Sequence, residues 1–188
     1  MIDFTIEGGM IRLRPIRHSD VNDSYVSWFN NQSAEFIEFG AERVTLKRLK
    51  SYVDEKISDP HVLMLAIVDR SEGRHIGNLK FEPFSPREAD CDLGVFIGDT
   101  NFLGRGYGSD AIRTALDFLR DMTAVESVSL GVDQRNSRAI AAYSKLGFSQ
   151  VGIPRRVLGG GGEYVEIRMR VSLEQRRQAL TVDLPDFD

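Results

Sequence analysis

One segment, residues 94–109, constrains the fold of this chain more than any other. It joins an apolar strand to a short polar loop and then to three glycines, Gly104, Gly106 and Gly108, that open a helix. Glycine has no side chain to obstruct a ligand, so the backbone N–H groups of such a turn can approach it closely. The start of the helix adds unpaired N–H groups and the positive end of its dipole, and both favour a phosphate. The segment therefore predicts a binding loop for a phosphorylated ligand.

The chain has the size and composition of one globular domain. Its 188 residues are 41% hydrophobic and 28% charged, and they carry a formal charge of −4. A net negative charge disfavours a general nucleic-acid surface. No apolar run approaches the roughly 18 residues of a membrane span, and the first residues lack the pattern of a secretion signal. With Cys91 as the single cysteine, we expect a cytoplasmic protein with no disulfide, no nucleic-acid partner and no membrane partner.

Hydrophobic periodicity predicts a strand, two helices, three antiparallel strands, a helix, a strand, a helix and a hairpin along the chain. Strands are expected at residues 10–15, 62–68, 74–81, 89–97 and 125–132, followed by a closing hairpin of 148–158 and 164–171 across the glycines 159–162. Helices are expected after a cap at Ser19 or Asp20, over 45–57, from the glycine cluster to about 121, and over 136–146, where Gly147 stops the last one. This order predicts one α/β domain over residues 1–188, with a core at about 10–171 and a polar, acidic tail at about 173–188.

Several classes of phosphate site carry clustered glycines, and the flanking residues separate them. A nucleoside-triphosphate loop needs a lysine and then Ser or Thr after its last glycine, whereas Gly108 is followed by Ser109 and Asp110. A protein-kinase loop needs later lysine and aspartate motifs that this chain lacks. A dinucleotide site is the serious alternative, because Asp133 ends the next strand where a ribose-binding acid is expected. The glycine spacing and the distance of the glycines from the strand tip count against it.

A second segment, residues 132–148, helps to distinguish these classes of phosphate-binding site. It runs from a strand through Asn136 into a helix and ends in a Tyr-x-Lys-x-Gly-Phe sequence at 143–148. It resembles the strand–Asn–helix–Tyr-x-Lys-x-Gly-Phe signature of the Gcn5-related N-acetyltransferase (GNAT) superfamily. The glycine cluster is similar to the Q/R-x-x-G-x-G/A motif of the same family, except that Leu103 replaces the Gln or Arg. The resemblance covers roughly residues 10–171 and implies the GNAT fold, a central, mostly antiparallel, splayed mixed sheet flanked by helices.

Three shorter segments resemble one branch of the superfamily. Residues 25–31, 76–79 and 92–94 are similar to the RimJ/RimL-like branch, whose members acetylate protein N-termini and amino-sugar nucleotides. This resemblance implies an acetyl-CoA-dependent enzyme that moves an acetyl group directly to a primary amine, without an acyl-enzyme. We expect the acceptor to be a small molecule such as an amino-sugar nucleotide. The alternatives are a protein N-terminus or a ribosomal protein, or a non-catalytic module that only binds acyl-CoA.

The resemblance also assigns a place to acetyl-CoA, the expected cosubstrate. Backbone N–H groups of the fourth strand are expected to polarise the thioester carbonyl, the glycine loop to hold the diphosphate, and the last helix to contact the cofactor. The expected cofactor-binding residues are Val95, Phe96, Ile97, Leu103, Gly104, Arg105, Gly106, Tyr107, Gly108, Ser109, Asn136, Ala139 and Tyr143. Ordinary roles compete with these, since residues 95–97 suit a core strand, the glycines a tight loop and Asn136 a helix cap.

Tyr143 and Asp92 are the candidate catalytic residues. A phenol with an ordinary pKa of about 10 is protonated at neutral pH and can donate a proton to the leaving thiolate; the competing role of Tyr143 is that of an aromatic core residue at helical spacing. Asp92 is the first candidate for a general base and Glu82 the second, while hydrogen bonding at a strand end is the alternative for Asp92. Some family members carry a glutamate five residues before the asparagine, where this chain has Gly131.

The acceptor side of the site carries fewer signals. Trp28, Glu82 and Phe84 are the expected substrate-contacting residues, with core packing as the competing role of both aromatic side chains. A cationic stretch at residues 43–50 either contacts an anionic acceptor or forms an exposed helix face. The three histidines show no metal-ligand spacing, so no metal is expected. The sequence is compatible with a monomer or a homodimer.

Overall fold

The computed structural model describes residues 4–30, 43–159 and 162–174. The longer strands and the helices follow one another in the order that the hydrophobic pattern predicts. In chain order they are β1 (Ile6–Glu7), β2 (Ile11–Pro15), α1 (Asp23–Asn30), α2 (Leu46–Ser58), β3 (Leu63–Asp69), β4 (His75–Phe81), β5 (Asp90–Ile97), α3 (Tyr107–Met122), β6 (Ser127–Asp133), α4 (Ser137–Lys145), β7 (Ser149–Gln150), β8 (Arg155–Gly159) and β9 (Gly162–Ser172). Beyond Glu174, the expected acidic tail lies outside the described residues.

The strands of the described ranges form one sheet. Their order is β1-β2-β3-β4-β5-β6-β9-β7, and β8 extends the sheet by pairing with β9. Each pairing in these ranges is antiparallel except that of β5 with β6. This mixed, mostly antiparallel sheet flanked by helices confirms the fold class expected from the sequence. The meander of β3, β4 and β5 is incompatible with the doubly wound parallel sheet of a dinucleotide-binding domain, so the structure excludes that alternative.

The two ends of β5 have different partners. Its first residues, 90–92, pair in parallel with 127–129 of β6, whereas residues 93–97 pair with β4. Beyond Asp92 and Ser129, the described parts of β5 and β6 therefore separate. The resulting V-shaped gap, here called the splay, has its apex at these two residues and opens toward the carboxyl ends of both strands.

Helices cover both faces of the sheet and divide the core in two. On the α3/α4 face, helices α3 and α4 pack on the larger core, which includes Leu93 of β5 and Leu130 of β6. On the α1/α2 face, helices α1 and α2 form a smaller core that includes Leu49 of α2 and Met64 of β3. Side chains alternate along β5, so Phe96 packs on the smaller core. Of the expected cofactor residues on this strand, Phe96 therefore lies on one face, whereas Val95 and Ile97 lie on the other.

Two predicted elements differ in detail from the structure. The first helix is not capped by Ser19 or Asp20, because Asp20 instead accepts hydrogen bonds from the guanidinium of Arg14, at 2.7 Å to each carboxylate oxygen. The cap is Asn22, whose side-chain oxygen accepts from the N–H of Tyr25 at 3.1 Å. The first arm of the predicted closing hairpin is divided into β7 and β8, both of which pair with β9. No helix within the described ranges is long and apolar enough to cross a membrane.

Candidate active site

The glycine cluster forms the turn into α3. Gly104 and Gly106 adopt left-handed conformations, with φ of 75° and 90°, which glycine reaches without the steric cost that other residues meet. The first hydrogen bond of the helix runs from the N–H of Asp110 to the carbonyl of Gly106, at 2.9 Å. Within the described ranges, no group accepts a hydrogen bond from the N–H groups of residues 104–109. A helix N-terminus with these free donors suits an anionic group such as a diphosphate.

Polar contacts hold this loop in place. The buried carboxylate of Asp110 accepts hydrogen bonds from the N–H groups of Met10, at 2.7 Å, and Ile11, at 3.2 Å, which tie α3 to β2. Both hydrogen bonds fix the first turn of α3, so the free N–H groups keep their direction without a ligand. Such preorganisation lowers the entropic cost of binding.

A cation that the sequence analysis missed lies over the glycine loop. The guanidinium nitrogen Nη2 of Arg138 lies 3.0 Å from the place that a Cβ on Gly104 would take. Arg138 forms no ion pair within the described part of the chain. A guanidinium matches the geometry of phosphate oxygens, so Arg138 can complete an anion site together with the backbone donors. The available signal was its position in the first turn of the helix that Asn136 caps.

The backbone of β5 presents only some of its N–H groups to the splay. The N–H of Gly98 donates to the carbonyl of Ile76 on β4 at 2.9 Å. Successive backbone groups alternate in direction along a strand, so the N–H of Phe96 also turns toward β4, with which it is paired. The N–H groups of Val95 and Ile97 turn the other way, into the splay. Two of the three expected β5 residues therefore direct donors to the place where a thioester carbonyl is expected.

The helix α4 carries the remaining cofactor candidates. Asn136 caps this helix, because its side-chain oxygen accepts from the N–H of Ala139 at 3.1 Å. The half-buried ring of Tyr143 lies 6.0 Å from that of Phe148, and its hydroxyl has no hydrogen-bond partner among the described residues. Burial raises the pKa of Tyr143 above its ordinary value. The phenol is therefore protonated at neutral pH and able to donate.

Candidate cofactor residues from three elements lie on the same face of the sheet. The residues that line the larger core with half-buried side chains include Val95 and Ile97 of β5, Tyr107 of α3, and Ala139 and Tyr143 of α4. The splay, the glycine loop and the candidate acid thus share the α3/α4 face.

Both carboxylates predicted as bases are engaged by cations. Glu82, just after β4, accepts hydrogen bonds from Lys56, at 2.7 Å, and from Lys80. Burial of Glu82 opposes ionisation, but the bonds from the two lysines outweigh it, so the pKa of Glu82 lies below its ordinary value. Asp92 accepts a hydrogen bond from the guanidinium of Arg168 on β9. A carboxylate whose oxygens already accept from a cation has fewer positions left to accept from an amine.

The two aromatic candidates for the acceptor site lie in different places. Trp28 packs on the α1/α2 face against Gly98 at the end of β5, where an added Cβ would overlap the indole ring. Its ring also makes an edge contact with that of Phe96, with centroids 6.3 Å apart. Phe84 is 4% exposed and packs against Phe81 in the larger core. Trp28 therefore lies on the α1/α2 face, whereas the side chain of Phe84 is enclosed in the core of the opposite face.

A carboxylate that the sequence analysis missed occupies the space over Gly131. A Cβ added at Gly131 would overlap the carboxylate oxygen Oε2 of Glu166 on β9. Ile167 and Met169 of the same strand pack on the larger core, so Glu166 lies on the α1/α2 face. Within the described residues its carboxylate has no hydrogen-bond or ion-pair partner. The neighbouring strand thus supplies a side chain at the position where β6 has none.

The single cysteine is unsuited to nucleophilic attack. Cys91 is 3% exposed, and burial raises the pKa of its thiol to about 12. A thiol that stays protonated is a poor nucleophile. Among the described residues, no group of three or more His, Cys, Asp or Glu side chains is arranged to hold a metal ion.

A protein-family model matches most of the chain. The family model of the acetyltransferase (GNAT) domain matches residues 11–149. The chain belongs to the GNAT acetyltransferase family. The match spans β2 to the first residue of β7 and so includes the splay and the glycine loop. The last strand, β9, lies outside the matched GNAT range.

The curated relatives are longer than this chain. It is 30% identical over 143 residues to the mycothiol acetyltransferase of Salinispora arenicola, which covers 74% of this chain and 45% of that protein. The mycothiol acetyltransferase of Salinispora tropica is 29% identical over the same length and coverage. The chain therefore spans 45% of the length of the curated relatives it matches.

Solved GNAT structures share the fold at low sequence identity. An acetyltransferase of the GNAT family from Bacillus anthracis superposes with a TM-score of 0.75 at 13% identity, covering 90% of this chain and 98% of that one. Spermidine N-acetyltransferase from Vibrio cholerae, solved in complex with CoA and spermine, gives a TM-score of 0.70 at 16% identity, covering 88% of this chain and 97% of that one. At these identities the likeness concerns the fold.

Proposed function

We propose that this chain transfers the acetyl group of acetyl-CoA directly to a primary amine of a small molecule, such as an amino-sugar nucleotide. One observation carries the donor half of the proposal. The N–H groups of residues 104–109 are free, and this loop lies beside the carboxyl end of β5, since a Cβ on Gly108 would come within 3.5 Å of the Ile97 side chain. A diphosphate on the loop would leave the pantetheine arm of the donor to follow β5 toward the apex.

The residues around the splay match the steps of acetyl transfer. The N–H groups of Val95 and Ile97 can polarise the thioester carbonyl, and one well-aimed donor of this kind contributes about 3–4 kcal/mol. Tyr143 can protonate the departing thiolate, because its raised pKa keeps the phenol protonated. Cys91 remains a protonated core thiol, which favours attack by the amine itself over an acyl-enzyme.

The acceptor half rests on the α1/α2 face. We keep Trp28 and Glu82 as proposed acceptor contacts, together with Asp92 as a polar group near the apex, and leave out Phe84 because its side chain is enclosed in the larger core. Lys47 and Lys50 of α2 are exposed, which suits an anionic acceptor such as a nucleotide-linked amino sugar. A small amine acceptor is also named for one structural neighbour, the spermidine N-acetyltransferase.

An acceptor panel tests the proposal. CoA release from acetyl-CoA is followed by thiol titration with amino sugars, nucleotide-linked amino sugars, peptides with free N-termini and polyamines including spermidine. We expect turnover with a small amine, and faster turnover with nucleotide-linked than with free amino sugars. Turnover confined to peptides would instead favour the N-terminal or ribosomal-protein alternative. CoA binding without turnover on any amine would favour the non-catalytic acyl-CoA-binding module.

A further inference from the structure

We infer that Glu166 is the general base of the transfer, the group that takes the proton from the attacking amine. The inference deepens the proposed function and rests on it. It starts from one juxtaposition: an unpartnered carboxylate of β9 covers Gly131 of β6 at the point where the sheet opens.

Strand register places Glu166 at the apex of the splay. Ser129 is the last residue of β6 that pairs with β5, and Gly131 is the next residue of β6 on the same face. On β9, Glu166 lies opposite Asp133, but its side chain leans along the sheet to cover Gly131. The carboxylate therefore lies over the first α1/α2-face position beyond the last β5–β6 pair.

The same apex is where the reacting bond is expected. The diphosphate cradle at residues 104–109 follows the carboxyl end of β5, and the splay runs from there past Ile97 and Val95 to the apex. A donor held at the cradle and extended along β5 carries its acyl group toward Glu166. The α3/α4 face of β6 is filled by the larger core, so the amine approaches from the α1/α2 face, on which Glu166 lies.

The charged groups near Glu166 are engaged with other partners. Asp133 of β6 accepts from Arg135 at 2.6 Å, and Arg168 of β9 donates to an aspartate of β5. Arg155 of β8 lies opposite Glu166 in register and forms no ion pair with it in the described part of the chain. Glu166 thus keeps all its acceptor positions for a ligand, whereas the other nearby carboxylates accept from cations.

The proton transfers balance without a further reactant. The amine nitrogen attacks the thioester carbon, a C–N bond forms, and the C–S bond breaks with its electron pair left on sulfur. Before this attack, Glu166 receives one proton of the protonated amine on a carboxylate oxygen, which frees the electron pair of the nitrogen. Tyr143 gives its phenolic proton to the thiolate, and the second N–H proton passes to water as the amide forms. The products are an amide and free CoA, and both side chains regain their starting forms by proton exchange with water.

Glu166→Gln tests this role against a matched carboxylate of the same strand. We expect kcat with the best amine of the panel to fall about 10²- to 10⁴-fold, with the KM for acetyl-CoA within about twofold of wild type. The control is Glu163→Gln. Glu163 lies three residues before Glu166 on the same strand, is exposed, and pairs through its carboxylate with the guanidinium of Arg156 at 3.6 Å. The control variant should keep the wild-type kcat.

The pH dependence separates a base from a structural role. As the pH rises through the pKa of the amine, the acceptor arrives neutral and needs less help with its proton. The deficit of Glu166→Gln should therefore shrink with rising pH, and Glu166→Asp should restore part of kcat at neutral pH. A deficit that is the same at every pH, or a loss matched by Glu163→Gln, overturns the inference.

Gly131→Ala provides a second variant that leaves the carboxylate in the chain. The added methyl group displaces the flexible end of Glu166, so kcat should fall in the wild-type background and not fall further in the Glu166→Gln background. Additive losses in the double variant contradict the inference. If the wild type itself acetylates no amine while CoA binds, the proposed function fails; a wild-type kcat in Glu166→Gln overturns this inference alone.

Discussion

Replacing Gly104 by alanine tests the diphosphate cradle against a matched control in the same protein. Gly104 has a φ of 75° and Gly73, in the turn between β3 and β4, has a φ of 67°, so alanine at either position meets a similar backbone strain of about 1–2 kcal/mol. The smaller entropy of the unfolded alanine chain returns about 0.4–1 kcal/mol. Each variant should therefore lose on the order of 1 kcal/mol of unfolding free energy, or about 2–4 °C in Tm for a chain of this length.

The two glycines differ in what surrounds them. A Cβ at Gly73 meets nothing within 4 Å, whereas a Cβ at Gly104 comes within 3.0 Å of the guanidinium of Arg138. Gly104→Ala therefore displaces this cation and turns the neighbouring N–H groups away from a diphosphate. Loss of one hydrogen bond to a charged group costs about 1.5–3 kcal/mol, so the Kd for CoA should rise about 10- to 100-fold.

Calorimetric titration with CoA and thermal unfolding separate these two effects. The Tm of Gly73→Ala should match that of Gly104→Ala, while its Kd for CoA should match that of the wild type. If Gly104→Ala binds CoA as tightly as Gly73→Ala does, the diphosphate does not rest on this loop and the assignment of the cradle is wrong.

Three other changes probe the acid, the anchor of the loop and the pH dependence of stability. Tyr143→Phe should lower kcat about 10²- to 10⁴-fold with little change in the Kd for CoA. Because burial raises the pKa of Tyr143, the wild-type kcat should not decline until the pH exceeds about 10. An unchanged kcat in the variant would exclude the phenol as the acid. Asp110→Ala leaves the N–H groups at the start of β2 without an acceptor and should cost about 1–3 kcal/mol of unfolding free energy in urea titration; a loss under about 0.5 kcal/mol would contradict the anchoring role. Burial lowers the pKa of His75 below its value in the unfolded chain, so protonation of His75 favours unfolding. The free energy of unfolding should therefore fall as the pH drops below about 6.5. His75→Gln should flatten this pH dependence between pH 7 and 5, and an equal pH dependence of the unfolding free energy in both proteins would refute the role of His75.

The turn that we propose as the diphosphate loop could be predicted because its determinants are local in sequence. The turn at Gly104 and Gly106, the start of α3 and the cap at Asn136 each depend on a few consecutive residues. The left-handed φ of Gly147, 92°, ends α4 where the sequence predicts. The departure at Leu103 leaves the turn intact, because the left-handed conformations of Gly104 and Gly106 do not depend on that side chain. The residues that determine these turns and caps are therefore neighbours in sequence of the residues proposed to contact the cofactor.

The cation partners of the two candidate bases could not be predicted, because these partners come from distant parts of the chain. Lys56 reaches Glu82 across 26 residues, and Arg168 reaches Asp92 across 76 residues. A partner of this kind decides whether a carboxylate is available to accept a proton, and no spacing pattern reveals it. For the same reason, the sequence alone pointed to Glu82 and Asp92 and gave no indication of Glu166.

The alternation of apolar and charged side chains along β9 nevertheless determines the face of the sheet on which Glu166 lies. Ile167, Met169 and Val171 pack on the larger core, which leaves Glu166 on the other face. Because side chains alternate with a period of two, a shift of β9 by one residue against β6 would turn Glu166 into the core and place an isoleucine on the acceptor face. Burial of an unpaired carboxylate and exposure of isoleucine both cost free energy. The apolar residues that hold β9 in register therefore determine which charged group covers Gly131, although none of them contacts the acceptor face.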